Sequence, residues 1–189
     1  MAITRIGPNQ SINLASNITG TLPVGNGGSG RTAVTGNVLQ VVSTVKTDTF
    51  STTSQSDTAV TGLSVAITPS STSSKILVMV QICLGTGSYT ALYSLRRGST
   101  DILLADAASN RARTTAVINP RDTDTNRMNN AIPTTFLDSP NTTSATTYQA
   151  YIRNRTSSIA YVNRSHNDND GATFDPRTTS TITVMEIAG

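Results

Sequence analysis

The chain has 189 residues, 36% of them apolar, 13% charged and 4% aromatic, with a formal charge of +3. That length suits one sizeable domain with an accessory segment, and so little charge excludes a solvating disordered chain. The basicity comes almost wholly from arginine, since Lys46 and Lys75 are the only lysines; arginines interleaved with aspartates make no dense basic stripe with stacking aromatics, which argues against nucleic-acid binding.

Residues 1–36 carry no helical period and no strand alternation of useful length. The opening "MAITRIGPNQ" lacks the apolar core of a signal peptide, and no run of about 18 apolar residues follows, so no membrane insertion is expected. Ile12, Leu14, Ile18, Leu22, Pro23 and Val24 are too apolar for a plain Gly/Ser spacer. They are also too few to offset the roughly 1–2 kcal/mol per residue that ordering a backbone costs. The segment reads as an anchor ordered by neighbouring chains, with Gly25, Gly27, Gly28 and Gly30 as a hinge into a folded body over 37–189.

From Val38 the pattern turns to strands. "VLQVVSTVK", "DTFSTTS" and "TAVTGLSVAITP" lead to "KILVMVQICLG", the most apolar run, which its length and its closing glycine mark as a central strand. Cys83 within it reads as a small buried apolar side chain. "YTALYSLRRG" alternates, "DILLADAA" is short and ambiguous, and Arg111 to Val117 reads as a further strand. A polar, turn-rich stretch from Asn119 to Asn130 follows. Strands resume at "IPTTFLDSP", "TTYQAYIRN" and "SIAYVNRS", and after the loop His166–Arg177 comes "TSTITVMEIAG", which should be paired inside a sheet because a free strand so apolar would be a sticky edge. Some eight to ten short strands at a spacing of about ten residues predict an all-β fold, an antiparallel sandwich of jelly-roll type.

Parts for catalysis are scarce. Glu186 is the only glutamate, His166 the only histidine and Cys83 the only cysteine, and no G-x-S-x-G elbow occurs. A lone cysteine excludes an intrachain disulfide and a cysteine-based zinc site. "HNDNDG" sets His166, Asp168, Asp170 and Gly171 at the spacing of a calcium loop, but histidine replaces the first acid and Arg177 stands at the closing glutamate. "DTDTNR" offers Asp122, Asp124 and Asn126, with Arg127 where the turn glycine belongs. Both read as polar turns. The expectation is a protein that is no enzyme and needs no metal or cofactor.

"ITGTLPVGNGGSG" (Ile18 to Gly30) resembles the I-x-G-T-L-P-V-x-N-G-G-T-G segment that recurs in tail-fibre and related appendage proteins of bacteriophages, with Ser29 in place of the commoner threonine. "SSKILVMVQICLG", "LRRGST", "TTSATTYQAYIRN" and "STITVMEIAG" look like a β-rich terminal domain of phage fibres. The resemblance implies a homotrimer on a virion, assembled in the host cytoplasm and held to other tail or capsid proteins through residues 1–36. It implies a tail fibre or fibre tip whose head meets the host surface, with a cell-surface glycan as partner. Receptor contact is then expected from Arg111, Arg113, Arg121, Asp122, Asp124 and Arg127, and from His166, Asp168 and Asp170, whose charges suit saccharide hydroxyls or anionic groups. Two rivals stand beside it: a capsid decoration protein or head fibre clamping the shell, and a calcium-dependent or saccharide-binding lectin-like head. Copy number on the particle separates the first two, and metal-dependent binding isolates the third.

Overall fold

The computed structural model describes residues 35–87, 90–119, 129–156, 158–170 and 175–189. The expected anchor (Ile12, Leu14, Ile18, Leu22, Pro23, Val24) and hinge (Gly25, Gly27, Gly28, Gly30) lie outside the described residues. Eleven strands follow in the described chain: β1 (Val38–Lys46), β2 (Phe50–Thr52), β3 (Thr58–Ile67), β4 (Lys75–Thr86), β5 (Ala91–Arg97), β6 (Thr100–Ile102), β7 (Ala116–Ile118), β8 (Asn130–Asp138), β9 (Thr146–Asn154), β10 (Ala160–Val162) and β11 (Ser180–Ile187). All their pairings are antiparallel.

The pairings make two sheets. In one, β1 pairs β11, β11 pairs β4 and β4 pairs β8, while β10 and β2 extend it along the far half of β4. In the other, β3 pairs β9 and β9 pairs β5, and β6 and β7 share the remaining edge of β5. Setting aside the short β2, β6 and β10, eight strands remain, coupled first with last (β1 with β11), second with seventh (β3 with β9), third with sixth (β4 with β8) and fourth with fifth (β5 with β7). That nesting is the jelly roll expected from the sequence. The apolar terminal strand β11 is paired on both sides, by β1 and β4.

Alternation decides what faces inward. On β4, Ile76, Val78, Val80 and Ile82 are buried, and they meet Ile182 and Val184 of β11 and Val60, Leu63, Val65 and Ile67 of β3 in the core. Tyr93 and Leu95 of β5 and Tyr148 and Ile152 of β9 close it from the other sheet. Cys83 is buried, as expected. The register of β3 shifts between Ala59 and Ser64, where Gly62 takes a φ of 81°, a left-handed value that glycine tolerates best.

Three polar ties lock the sandwich. Asn163, fully buried and left-handed at φ 64°, donates from Nδ2 to the carbonyls of Lys46 and Asp48 and accepts from Ser180 Oγ at 2.6 Å. It stitches together the point where β1 gives way to β2 and β10 to β11. Asp138 of β8 takes two bonds from Arg97 Nη1, at 2.8 and 2.7 Å, and one from the Tyr148 hydroxyl at 2.7 Å. Because Arg97 and Tyr148 belong to the opposite sheet, this pair fixes one layer on the other. Glu186, fully buried, accepts from Gln40 Nε2 at 2.6 Å and from Ser70 N and Oγ at 2.7 and 2.6 Å. Burial acts to raise its carboxyl, but the hydrogen bonds from Ser70 and Gln40 outweigh it and hold the group ionised down to about 2.

One strand is shorter than its sequence suggests. Of Arg111 to Val117, only Ala116 and Val117 join β7. Thr114 and Thr115 meet β5 through their side chains instead: Thr114 Oγ1 donates to the Tyr93 carbonyl, and Leu95 N donates to Thr115 Oγ1 at 3.0 Å. Such bonds offer the backbone an alternative to the ladder.

Candidate functional site

The strand registers define two ends of the sandwich. Val38, Ile187, Lys75 and Asp138 lie at one, together with Ile67, Thr146 and Arg97. Lys46, Ser180, Leu84 and Asn130 lie at the other, with Thr58, Asn154 and Ala91. Gly36 N donates to the Ala188 carbonyl at 2.7 Å, which sets Gly36 at the first end.

A groove of about 700 Å³ opens toward the second end, on the outer side of the sheet that carries β5 and β9. Its lining alternates with the core: Leu92 of β5 points outward between buried Ala91 and Tyr93, and it pairs across the sheet with Val117 and Arg153. Leu92, Ala112 and Val117 give the groove an apolar floor, while Thr90, Asn110, Thr114, Asn119, Arg111 and Arg155 give it polar walls. A second recess of about 530 Å³ shares Leu92, Asn110, Arg111, Ala112 and Arg155 with the first and adds Asp57, Asp101, Arg113, Arg153 and Asn154.

The charges in this region are not balanced. Arg96 is held between Asp101 at 2.6 Å and Asp57 at 2.9 Å, and its guanidinium lies 4.3 Å from the centre of the Tyr151 ring. The hydrogen bond to Asp101 raises its pKa still further. Arg153 Nε stands 3.6 Å from Asp57, and Arg113 Nε donates to the Ala105 carbonyl at 2.6 Å. Both nearby carboxylates are therefore engaged. Arg111 and Arg155 are exposed and have no side-chain partner among the described residues. Asn154, which lines the second recess, keeps a buried Nδ2 that lacks a partner. Two guanidinium forks suit a carboxylate or sulfate group, and the amides and hydroxyls around them suit sugar hydroxyls.

The residues expected to touch a receptor separate into three sets. Arg111 and Arg113 lie in the groove region. Arg121, Asp122, Asp124 and Arg127 lie outside the described residues, and their flanks, Asn119 and Asn129, stand at the groove end. His166, Asp168 and Asp170 line neither recess. The carboxylate of Asp168 is clamped by Arg177, at 2.6 Å to each oxygen, and by Arg164 at 3.0 Å. His166 Nδ1 bonds the Tyr161 hydroxyl at 2.9 Å, and Arg164 covers the Tyr161 ring at 4.5 Å. A side chain at Gly87 would put its Cβ 2.7 Å from His166 Nδ1, so glycine there leaves room for the ring. No group of three or more metal-ligating side chains occurs among the described residues.

Arg153, Arg155 and Asn110 were missed as site residues. The signal was present in "YIRNR", where period-two alternation sets Arg153 and Arg155 on one face of β9 and its extension. Asn110 had no such signal, because the path of residues 103–115 follows from side-chain bonds to β5.

No protein-family model and no curated protein matches the chain. Among solved structures, it is similar to a chain of T=1 particles derived from infectious bursal virus, at 14% identity and a TM-score of 0.41, covering 98% of this chain and 41% of that one. It is also similar to a chain of the Gx strain of infectious bursal disease virus, at 14% identity and a TM-score of 0.34, covering 80% of this chain and 43% of that one. The chain thus spans about two fifths of the length of those viral chains. Identities of 14% and TM-scores below 0.5 give no information on function.

Proposed function

We propose that the chain is a virion structural protein of the phage-appendage kind. Residues 1–36 attach it to other tail or capsid proteins, and the jelly-roll body is a trimeric head that meets a glycan on the host surface. The observation that carries this reading is the opposition of the two ends. Gly36, the first residue of the body after the fibre-like segment in sequence, lies at one end, whereas the groove and the residues flanking 120–128 stand at the far end. A body hung by one end presents the other outward. The architecture agrees with this, since jelly rolls recur in viral capsid and lectin domains, although a fold alone assigns no function.

The groove suits recognition without reaction. Its carboxylates, Asp57 and Asp101, are tied to arginines, and its lining holds no histidine, cysteine or glutamate to act as base or nucleophile. Arg111 and Arg155, without side-chain partners among the described residues, favour a sugar bearing a carboxylate or sulfate over a neutral one. The full chain screened against acidic and neutral glycans should retain acidic ones and release them as salt rises. Arg111→Ala with Arg155→Ala should abolish that retention. Binding confined to neutral glycans, or binding that survives the double substitution, would retire the groove as the receptor site. Antibody labelling of intact particles should place the protein on the virion, and its absence there would end the appendage reading.

A further inference from the structure

We infer that the outer face of the sheet formed by β1, β11, β4 and β8 is the seat of a second copy of this chain. The registers align Val41 with Met185, Met185 with Leu77 and Leu77 with Leu137, which makes one apolar row across all four strands. Val41 and Leu137 are each 54% exposed. Of the seven large apolar side chains exposed among the described residues, five lie on this sheet. The neighbouring row, Ser43, Thr183, Met79 and Thr135, is equally free of charge. In a chain with 25 charged side chains, the face bears only Lys75, at one corner and bonded to Ser139.

The sequence of β4 makes the same point. Strands buried on both faces read as continuous apolar runs, and strands with one wet face alternate. "KILVMV" is continuous, yet in a single copy Leu77 and Met79 face outward and only Ile76, Val78 and Val80 reach the core. The run is accounted for once something covers the outer face. β1 adds a reason of its own, because among the described residues it is a nine-residue edge strand paired only with β11, and such edges are covered in stable proteins.

A second copy fits this face better than a charged partner. Apart from Lys75 at its corner, the face offers no charge to steer or pair an ionic surface, while two uncharged rows of the same chain meet without repulsion or ion desolvation. At the spacings of a sheet, four strands of about eight residues span roughly 20 by 27 Å before side-chain relief is counted. That is the order of the about 800 Å² each partner contributes to a stable interface. Patches this apolar on soluble proteins mark interaction sites.

The inference rests on the self-assembling appendage reading only in expecting copies to associate, and it is tested apart from glycan binding. Sedimentation of the full chain at tens of micromolar should give a dimer or trimer. Val41→Lys with Leu137→Lys should give a folded monomer. Ser43→Arg with Thr135→Arg, which replaces exposed hydroxyls, one of them bonded to Thr183 Oγ1 at 2.8 Å, should do the same with the β circular-dichroism spectrum and a cooperative unfolding transition retained. A monomeric parent chain overturns the inference. An oligomer that persists in the second variant also overturns it, by assigning assembly to another surface while leaving the appendage reading intact.

Discussion

The two outer faces of this sandwich have the same architecture and opposite chemistry. Beneath both lies a shared core, and each presents alternate residues of a four-stranded sheet outward. On the β1-β11-β4-β8 side those residues are mostly Val, Met, Leu, Ser and Thr, with Lys75 at one corner; on the β5-β9 side they include Arg96, Arg153 and Tyr151, with Arg111 and Arg155 above them. The inward positions specify the fold, and the outward ones are free to specialise. One face is suited to burial against a like surface, the other to a solvated, charged ligand.

The largest effect is expected where the two faces are tied together. Asp138→Ala leaves the buried Tyr148 hydroxyl and the partly exposed Arg97 without their carboxylate and should cost about 3–4 kcal/mol, the lower part of the range for a buried pair because water reaches Arg97. Thermal unfolding reads this, and a loss under 1 kcal/mol would show that the layers hold without the tie. Next comes Asn163→Ala, which removes three hydrogen bonds, two of them fully buried, and a side chain suited to the left-handed region. A cost of about 3 kcal/mol is expected by the same measurement.

Glu186 sharpens the comparison through pH. Its carboxyl lies near 2 in the fold, against 4.5 for the free group. The folded value is the lower one, so its contribution is fully present above about 4.5 and disappears as pH falls toward 2. A shift of that size corresponds to a contribution on the order of 3 kcal/mol. Glu186→Gln should therefore lower stability at neutral pH by about 1–3 kcal/mol and flatten the acid limb of the stability curve. An unchanged acid limb would mean that other carboxylates govern it. The smallest effect on stability belongs to Arg111→Ala with Arg155→Ala, within about 0.5 kcal/mol because neither side chain has a partner to lose among the described residues. Only ligand binding should register that change.

Much of the architecture was legible in the sequence, because long strands carry their period openly. β1, β3, β4, β9 and β11 fall on the stretches that alternation and composition marked. β6 and β7 were blurred for a local reason. Leu103 takes a left-handed φ of 55° just after β6, and Thr114 and Thr115 replace ladder bonds with hydroxyl bonds, neither of which leaves a trace in hydropathy. The buried ties were hidden too. The stretches "SIAYVNRS" and "TSTITVMEIAG" contain Asn163, Ser180 and Glu186, but in a chain so rich in Ser, Thr and Asn nothing in hydropathy marks them as the buried ties to Lys46, Asp48, Gln40 and Ser70. Of the groove, Arg111 and Arg113 were found as charges in a loop. The alternation in "YIRNR" could have set Arg153 and Arg155 on one face, but that this face meets residues 110–113 depends on the path of the connection before β7.

The opposition of the two faces is tested most directly by side-chain footprinting of the full chain across a dilution series. Met79 and Met185 on the uncharged face should resist peroxide oxidation when concentrated and become reactive on dilution, while Arg111 and Arg155 react with a dicarbonyl reagent equally at every concentration. Methionines that oxidise at one rate throughout, or arginines that become protected on association, would contradict the division of labour between the faces.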